Sequence, residues 1–259
     1  GERIGRFLDL GCGNGDFSLE LARRGERGVA LDLSPAAAET AAMRLARADA
    51  EGVAVVCGDL SAAEGPFDTV CAFEVIEHVT DDVAFLREVR NALVPVGRLV
   101  ISTPAHPNLW DATDELAGHL RRYDREELVS TLTEAGFSDV QVASLGVPFA
   151  NIGKPLLAWR NRRALAAMSS EGVSRDERTA ASGLHRSLPL SDAAYRLAFN
   201  RVTLAPAIAL QRAFAATALG ANWVAVARRV FTPRRTSMPP AAAIASSTTT
   251  RTCSQSAFD

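Results

Sequence analysis

Lysine, paired cysteine, long apolar runs and an excess of either charge are all missing from this chain, and each absence removes a class of function. The 259 residues carry a formal net charge of -2, so there is no basic balance to hold a polyanion, and a nucleic-acid partner is not expected. Lys154 is the single lysine among 28 basic residues; with the abundant alanine, this reads as a coding bias toward arginine and carries no function. Cys12, Cys57, Cys71 and Cys253 lie far apart without paired spacing, which excludes a zinc cluster or a disulfide framework. The most apolar stretch, Val202–Leu219, is broken by Pro206, Gln211 and Arg212, short of the ~20 uninterrupted residues that a membrane span needs. No signal peptide precedes the first strand, so the cytoplasm is the expected compartment. The sequence opens on Gly1 rather than on methionine, and a fragment or processed chain lacking an earlier helix is expected.

What is present is a regular alternation. Short apolar runs at Arg6–Leu10, Gly28–Asp32, Val53–Cys57, Phe67–Phe73 and Gly97–Ser102 read as strands. Helical patterns fall near Asp16–Arg24, Pro35–Ala48 and Asp82–Leu93. That spacing predicts a mostly parallel sheet covered by helices on both faces, and 47% hydrophobic content supplies ample core. Asp124 followed by Glu126 and Glu127, with Gly136 at the far end, predicts another helix. Ser138–Ser144 and the segment from Gly220 to Val230 read as two further strands. The chain thus divides into a core over 1–145, a helical insertion or cap over 146–219, a last core strand over 220–231 and a disordered tail over 232–259. Within the insertion, Lys154–Met168 and Asp192–Leu219 read as helical and Ser169–Ser187 as a loop. A packed cap, a substrate lid, a dimer surface and a membrane-resting face are all open readings of it, and oligomeric state is not legible.

Ligands of parallel sheets bind at the carboxyl ends of the strands, and four acids stand there: Asp9, Asp32, Asp59 and Glu74. The first strand runs through Asp9 into Gly11-Cys12-Gly13-Asn14-Gly15. A loop that crosses directly beneath a bound molecule has no room for Cβ atoms, and glycine supplies that room. A dinucleotide fingerprint would place glycine at the sixth position of G-x-G-x-x-G, where Asp16 stands. Asp32 offers two acceptor oxygens to vicinal ribose hydroxyls, a feature common to several nucleotide sites. Asp59 follows the third strand, and Glu74-Val-Ile-Glu-His follows the fourth.

Together these strings resemble the ordered motifs of class I S-adenosylmethionine-dependent methyltransferases, in the subgroup that contains the ubiquinone-biosynthesis O-methyltransferases. The resemblance covers roughly residues 4–145 and implies a Rossmann-like α/β fold with a seven-stranded sheet whose last two strands form an antiparallel edge pair. It also implies that Asp9, Gly11, Cys12, Gly13 and Gly15 hold the amino-acid end of S-adenosylmethionine. Asp32 and Leu33 would take the ribose, Asp59 and Leu60 the adenine, and Glu74 would line the same cleft.

On the acceptor side, Glu74, Glu77 and His78 have i, i+3, i+4 spacing, which one helical turn would present together. A later segment supplies His119, Arg121, Arg122 and Tyr123. Histidine titrates near working pH, so His78 and His119 are candidate general bases. In small-RNA 2′-O-methyltransferases a similar turn and a later histidine bind Mg²⁺, so the resemblance also raises Glu74, Glu77, His78 and His119 as a metal set. Pure positioning of the acceptor is the third reading. Arg121, Arg122 and Tyr123 fit a salt-bridged loop anchor better than a substrate contact, and His106, between its prolines, is either a pocket wall or a turn. The expected activity is O-methylation of a small-molecule or lipid-like biosynthetic intermediate. The alternatives are a non-catalytic S-adenosylmethionine-binding regulatory module and an NAD-dependent oxidoreductase.

Overall fold

The computed structural model describes residues 3–147, 161–162 and 205–230. Five strands come first, β1 (Phe7–Leu10), β2 (Gly28–Asp32), β3 (Val53–Cys57), β4 (Phe67–Phe73) and β5 (Leu93–Pro104); β6 (Phe137–Leu145) and β7 (Asn222–Arg229) follow. Among them lie the helices α1 (Asp16–Arg23), α2 (Pro35–Arg47), α3 (Asp82–Ala92), α4 (Ala112–Ala117), α5 (Arg125–Glu134) and α6 (Ala205–Phe214). The sheet order is β3-β2-β1-β4-β5-β7-β6. All pairings from β3 to β5 are parallel, and β7 runs antiparallel to both β5 and β6. A mostly parallel seven-stranded sheet with one antiparallel strand inserted near its edge is therefore the architecture expected.

Strand periodicity sorts the core into two layers. Phe7 and Ala30 pack with Leu19, Leu21, Ala41 and Leu45 of α1 and α2. Their neighbours Leu8, Leu10, Val29 and Leu31 belong to the opposite layer, with Leu86 and Val89 of α3 and Leu128 and Leu132 of α5. Because side chains alternate along a strand, Asp9 shares the face of Phe7 and points to α1, where Ser18 meets it. Helix starts are capped as their sequences require: Ser34 accepts from Ala37 N–H with Pro35 beside it, and Asp81 accepts from Ala84 N–H.

Two elements differ from expectation. β5 is longer than the Gly97–Ser102 core that its apolar run marks, because Leu93 already pairs with Phe67 before a bulge and a left-handed Val96. The stretch Glu74–His78 does not form one helical turn. Glu74 takes a left-handed backbone conformation and only Ile76–His78 close into a 3-10 turn. Of the expected insertion, α6 occupies part of Asp192–Leu219, and Asn161 and Arg162 are helical. The rest of Lys154–Met168, the loop at Ser169–Ser187 and the tail from Thr232 lie outside the described residues. The end of α6 is fixed to β6: Gln211 donates to Ser144 O at 2.6 Å and accepts from Gly146 N–H at 2.8 Å.

Candidate active site

At the carboxyl edge of β1, β2 and β3 the acids stand in a row, each set by nearby backbone. Asp32, the last residue of β2, accepts from Gly13 N–H and from Ser34 N–H, one at each oxygen, both at 2.8 Å. Those two bonds lock the carboxylate between the glycine loop and the start of α2 while leaving further lone pairs for a ligand. Asp59 accepts from Ser61 N–H and Ser61 Oγ, which holds this exposed carboxyl below its ordinary range. The side chains that follow these acids are apolar: Leu33 is 74% exposed and Leu60 is half-buried.

Asp9 is different, being 2% exposed. Its carboxyl, with Ser18 Oγ donating at 2.6 Å, is pushed up to about 6, chiefly by burial. Cys12 is buried too, and burial pushes its thiol up to about 12, assisted by the charges of Asp9 and Asp32, so it is an inert wall of the loop rather than a nucleophile. Gly11 has a φ of 73°, and a Cβ there would lie 2.6 Å from Val75 Cγ2. The loop therefore packs on the Val75 side chain of the turn after β4 with no room for a Cβ at Gly11. Gly13 and Gly15 are left-handed as well. This rim thus combines a left-handed glycine loop, an anchored carboxylate at β2 and an exposed one past β3.

Around the turn after β4, the acids separate. Glu74 accepts from Ser102 Oγ at 2.7 Å and from Asn222 Nδ2 at 3.0 Å, tying the ends of β4, β5 and β7 together. The group formed by Glu77, His78 and His119, whose ligand atoms lie within 4.8 Å of one another, does not include it. The expected four-residue metal set is thus reduced to three, and Glu74 acts as a strand tie. Glu77 is fully buried and accepts from Thr103 Oγ1 at 3.2 Å. Burial, reinforced by the charge of Glu74, drives its carboxyl well above the ordinary range.

His119 arrives from a distant segment. Leu120 N–H donates to Glu77 O at 2.8 Å, and left-handed Gly118 ends α4 so that the chain folds back. His119 Nε2 comes to 4.0 Å from Glu77 Oε1, and its Nδ1 lies 2.9 Å from Asp114 Oδ1. The rings of His78 and His119 meet edge to face at 4.9 Å. Asp114 was not among the residues that the sequence singles out; its only local signal is the Asp111-x-x-Asp114 capping box.

Arg121, Arg122 and Tyr123 form the loop anchor. Arg122 grips Asp114 through two bonds of 2.8 Å. Arg121 and Tyr123 both donate to Asp82 Oδ2, at 2.8 and 2.7 Å, and burial with the Asp82 contact pushes the Tyr123 hydroxyl far above its usual range. His106 has a φ of 61° and packs edge to face on Trp223, which suits the turn reading. His185 lies outside the described residues.

Known proteins resemble this chain in sequence and in fold. A ubiquinone biosynthesis O-methyltransferase of Caulobacter sp. (strain K31) is 40% identical over 101 residues, 38% of this chain and 40% of that protein. One from Xanthomonas euvesicatoria pv. vesicatoria is 38% identical over 104 residues, 38% of this chain and 42% of the relative. The chain thus spans about 40% of the length of the curated relatives it matches. Among solved structures, Haemonchus contortus phosphoethanolamine N-methyltransferase 2, in complex with phosphomonomethylethanolamine and S-adenosylhomocysteine, superposes with a TM-score of 0.55 at 20% identity, over 89% of this chain and 51% of that one. The [4+2]-cyclase SpnF superposes at 0.51 with 18% identity, over 89% and 77%, so the fold alone does not fix the reaction. A family model described as a methyltransferase domain matches residues 1–142, more than half of the sequence. This chain belongs to the methyltransferase-domain family.

Proposed function

We propose that the protein transfers a methyl group from S-adenosylmethionine to an oxygen of a small-molecule or lipid-like biosynthetic intermediate. The observation that carries this reading is Asp32, whose carboxylate is fixed by the glycine loop on one side and α2 on the other beside the exposed face of Leu33. That geometry supports a ribose and an adenine, with Asp59 and Leu60 at the far end of the same rim and the loop from Asp9 to Gly15 under the amino-acid end. When bound, S-adenosylmethionine supplies a methyl on a good leaving group, so the protein's work is alignment and removal of a proton. His119 is the base in this reading: its Nε2 would take the proton of the acceptor hydroxyl and later release it to water.

Calorimetry with S-adenosylmethionine and S-adenosylhomocysteine tests the cofactor half, and absence of binding by both rejects it. A screen of phenols, catechols and carboxylic acids with tritium-labelled cofactor tests the transfer. Binding with no S-adenosylhomocysteine formed from any acceptor would favour the non-catalytic regulatory module. The family match leaves the nicotinamide reading without support.

Glu77, His78 and His119 also favour a second reading, a divalent cation that polarises the acceptor oxygen. One carboxylate and two imidazoles suit Mn²⁺ or Zn²⁺ better than the all-oxygen preference of Mg²⁺. It predicts that exhaustive chelation abolishes turnover and that added Mn²⁺ or Mg²⁺ restores it; proton removal by His119 predicts no response.

A further inference from the structure

Resting on the reading of His119 as the base, the surroundings of its other nitrogen assign a residue that no motif marks. Asp114 is fully buried, and its partners are donors on every side. Arg122 Nε donates to Oδ1 and Nη2 to Oδ2, both at 2.8 Å, and Asp111 N–H donates to Oδ2 at 2.9 Å. With donors from Arg122 and Asp111 on both oxygens, the carboxyl of Asp114 is an acceptor on every side. The imidazole nitrogen that faces it, Nδ1 at 2.9 Å, must then carry hydrogen. The capping box of α4 needs one oxygen of Asp114 alone; Oδ1 is left for His119 and Arg122.

We propose that Asp114, clamped by Arg122, is a positioning residue that fixes His119 as the Nδ1–H tautomer and turns the lone pair of Nε2 toward the acceptor side, next to Glu77 and His78. The polar contacts of Asp114 are to His119, Arg122 and Asp111. A carboxylate that orients an imidazole in this way both selects the tautomer and stabilises the cation formed on proton uptake.

The deciding measurement is heteronuclear NMR of the protein labelled with nitrogen isotope in histidine, at about pH 8, where an unperturbed imidazole is neutral, with the His119 signal assigned through H119Q. The expected spectrum has a proton on Nδ1 and none on Nε2, and Asp114→Ala mixes the two tautomers. A proton on Nε2 in the unaltered protein, or an unchanged His119 signal in D114A, overturns the proposal. Because D114A leaves Arg122 buried without its partner, D114A/R122M removes both charges and serves where the single variant fails to fold.

Kinetics with the acceptor found in the screen give the second readout. D114A lowers kcat about 100-fold with KM within about twofold, and adding H119A to it causes no further loss. If H119A alone leaves turnover unchanged, or the screen finds no acceptor, the reading of His119 as base fails, and the tautomer alone decides whether Asp114 sets the ring. If H119A is damaging and D114A is not, the positioning role is wrong while the base stands.

Discussion

The two rims of this site are built by different means. On the cofactor side the three acids are anchored within neighbouring βα units: Asp32 to Gly13 and Ser34, Asp59 to Ser61, Asp9 to Ser18. On the acceptor side the bonds join segments far apart in sequence, Glu74 to Ser102 and Asn222, Glu77 to Thr103, and the turn after β4 to Leu120. Short-range anchors produce a rim that tolerates changes elsewhere. Long-range ones produce a rim whose shape depends on how β5, α4 and β7 are packed, which suits a surface that must fit different acceptors on one scaffold.

The sharpest way to break the contrast is at its best-anchored point. Asp32→Ala removes two backbone anchors and the ribose acceptor at once, so affinity for S-adenosylmethionine falls about 100-fold or more by calorimetry, since hydrogen bonds to charged groups contribute ~1.5–3 kcal/mol each. The domain stays folded, with a loss of about 1–2 kcal/mol from the freed Gly13 and Ser34 amides. Retained affinity would show that the row of strand-end acids is a structural edge. On the opposite rim, His119→Ala should lower kcat about 100-fold or more while leaving calorimetric affinity for S-adenosylhomocysteine unchanged, so the two variants separate binding from chemistry.

Asp9 lies between the rims and gives a pH-dependent effect of opposite sign. Its folded pKa of about 6 stands above the unfolded value of 3.8, so the folded state binds the proton more tightly. Stability from this group is present below the unfolded value and is lost as pH rises through about 6, the total cost above that being about 3 kcal/mol. Asp9→Asn keeps an acceptor for Ser18 and removes the charge. Its melting temperature should match the unaltered protein near pH 4 and exceed it at pH 8, while its affinity for S-adenosylmethionine falls. An equal shift at both pH values would mean that the carboxyl is ionised throughout.

The same contrast explains what was legible in the sequence. Asp9, the glycine loop, Asp32 and Asp59 lie within a few residues of a strand end, so strand alternation places them. All the described strands lie where the apolar runs put them, with β5 extended by pairing across a bulge that no periodicity reveals. His78 and His119 could be named as residues, but their meeting depends on the backbone bond from Leu120 to Glu77, which has no local signature. Asp114 was invisible for a related reason: an acid at the third position of a helix reads as a cap, and only the fold shows that its second oxygen serves a histidine. The spacing of Glu74, Glu77 and His78 misled, because helical periodicity was assigned to a stretch whose first residue is left-handed.

That left-handed residue gives the smallest and most discriminating effect. In the structure Glu74 spends its carboxylate on Ser102 and on the amide of Asn222, the first residue of β7, so it joins the chain's return from the insertion to the turn after β4. Glu74→Gln places an amide against the Asn222 amide and loses about one hydrogen bond, worth ~1 kcal/mol. Thermal unfolding should shift down slightly, and affinity for S-adenosylhomocysteine should hold. Were Glu74 instead a ligand of a required cation, E74Q would sharply raise the concentration of Mn²⁺ or Mg²⁺ needed for turnover while leaving unfolding almost untouched. A strand tie predicts the reverse, a small loss of stability with no change in metal response, so the two measurements on one variant decide to which rim this residue belongs.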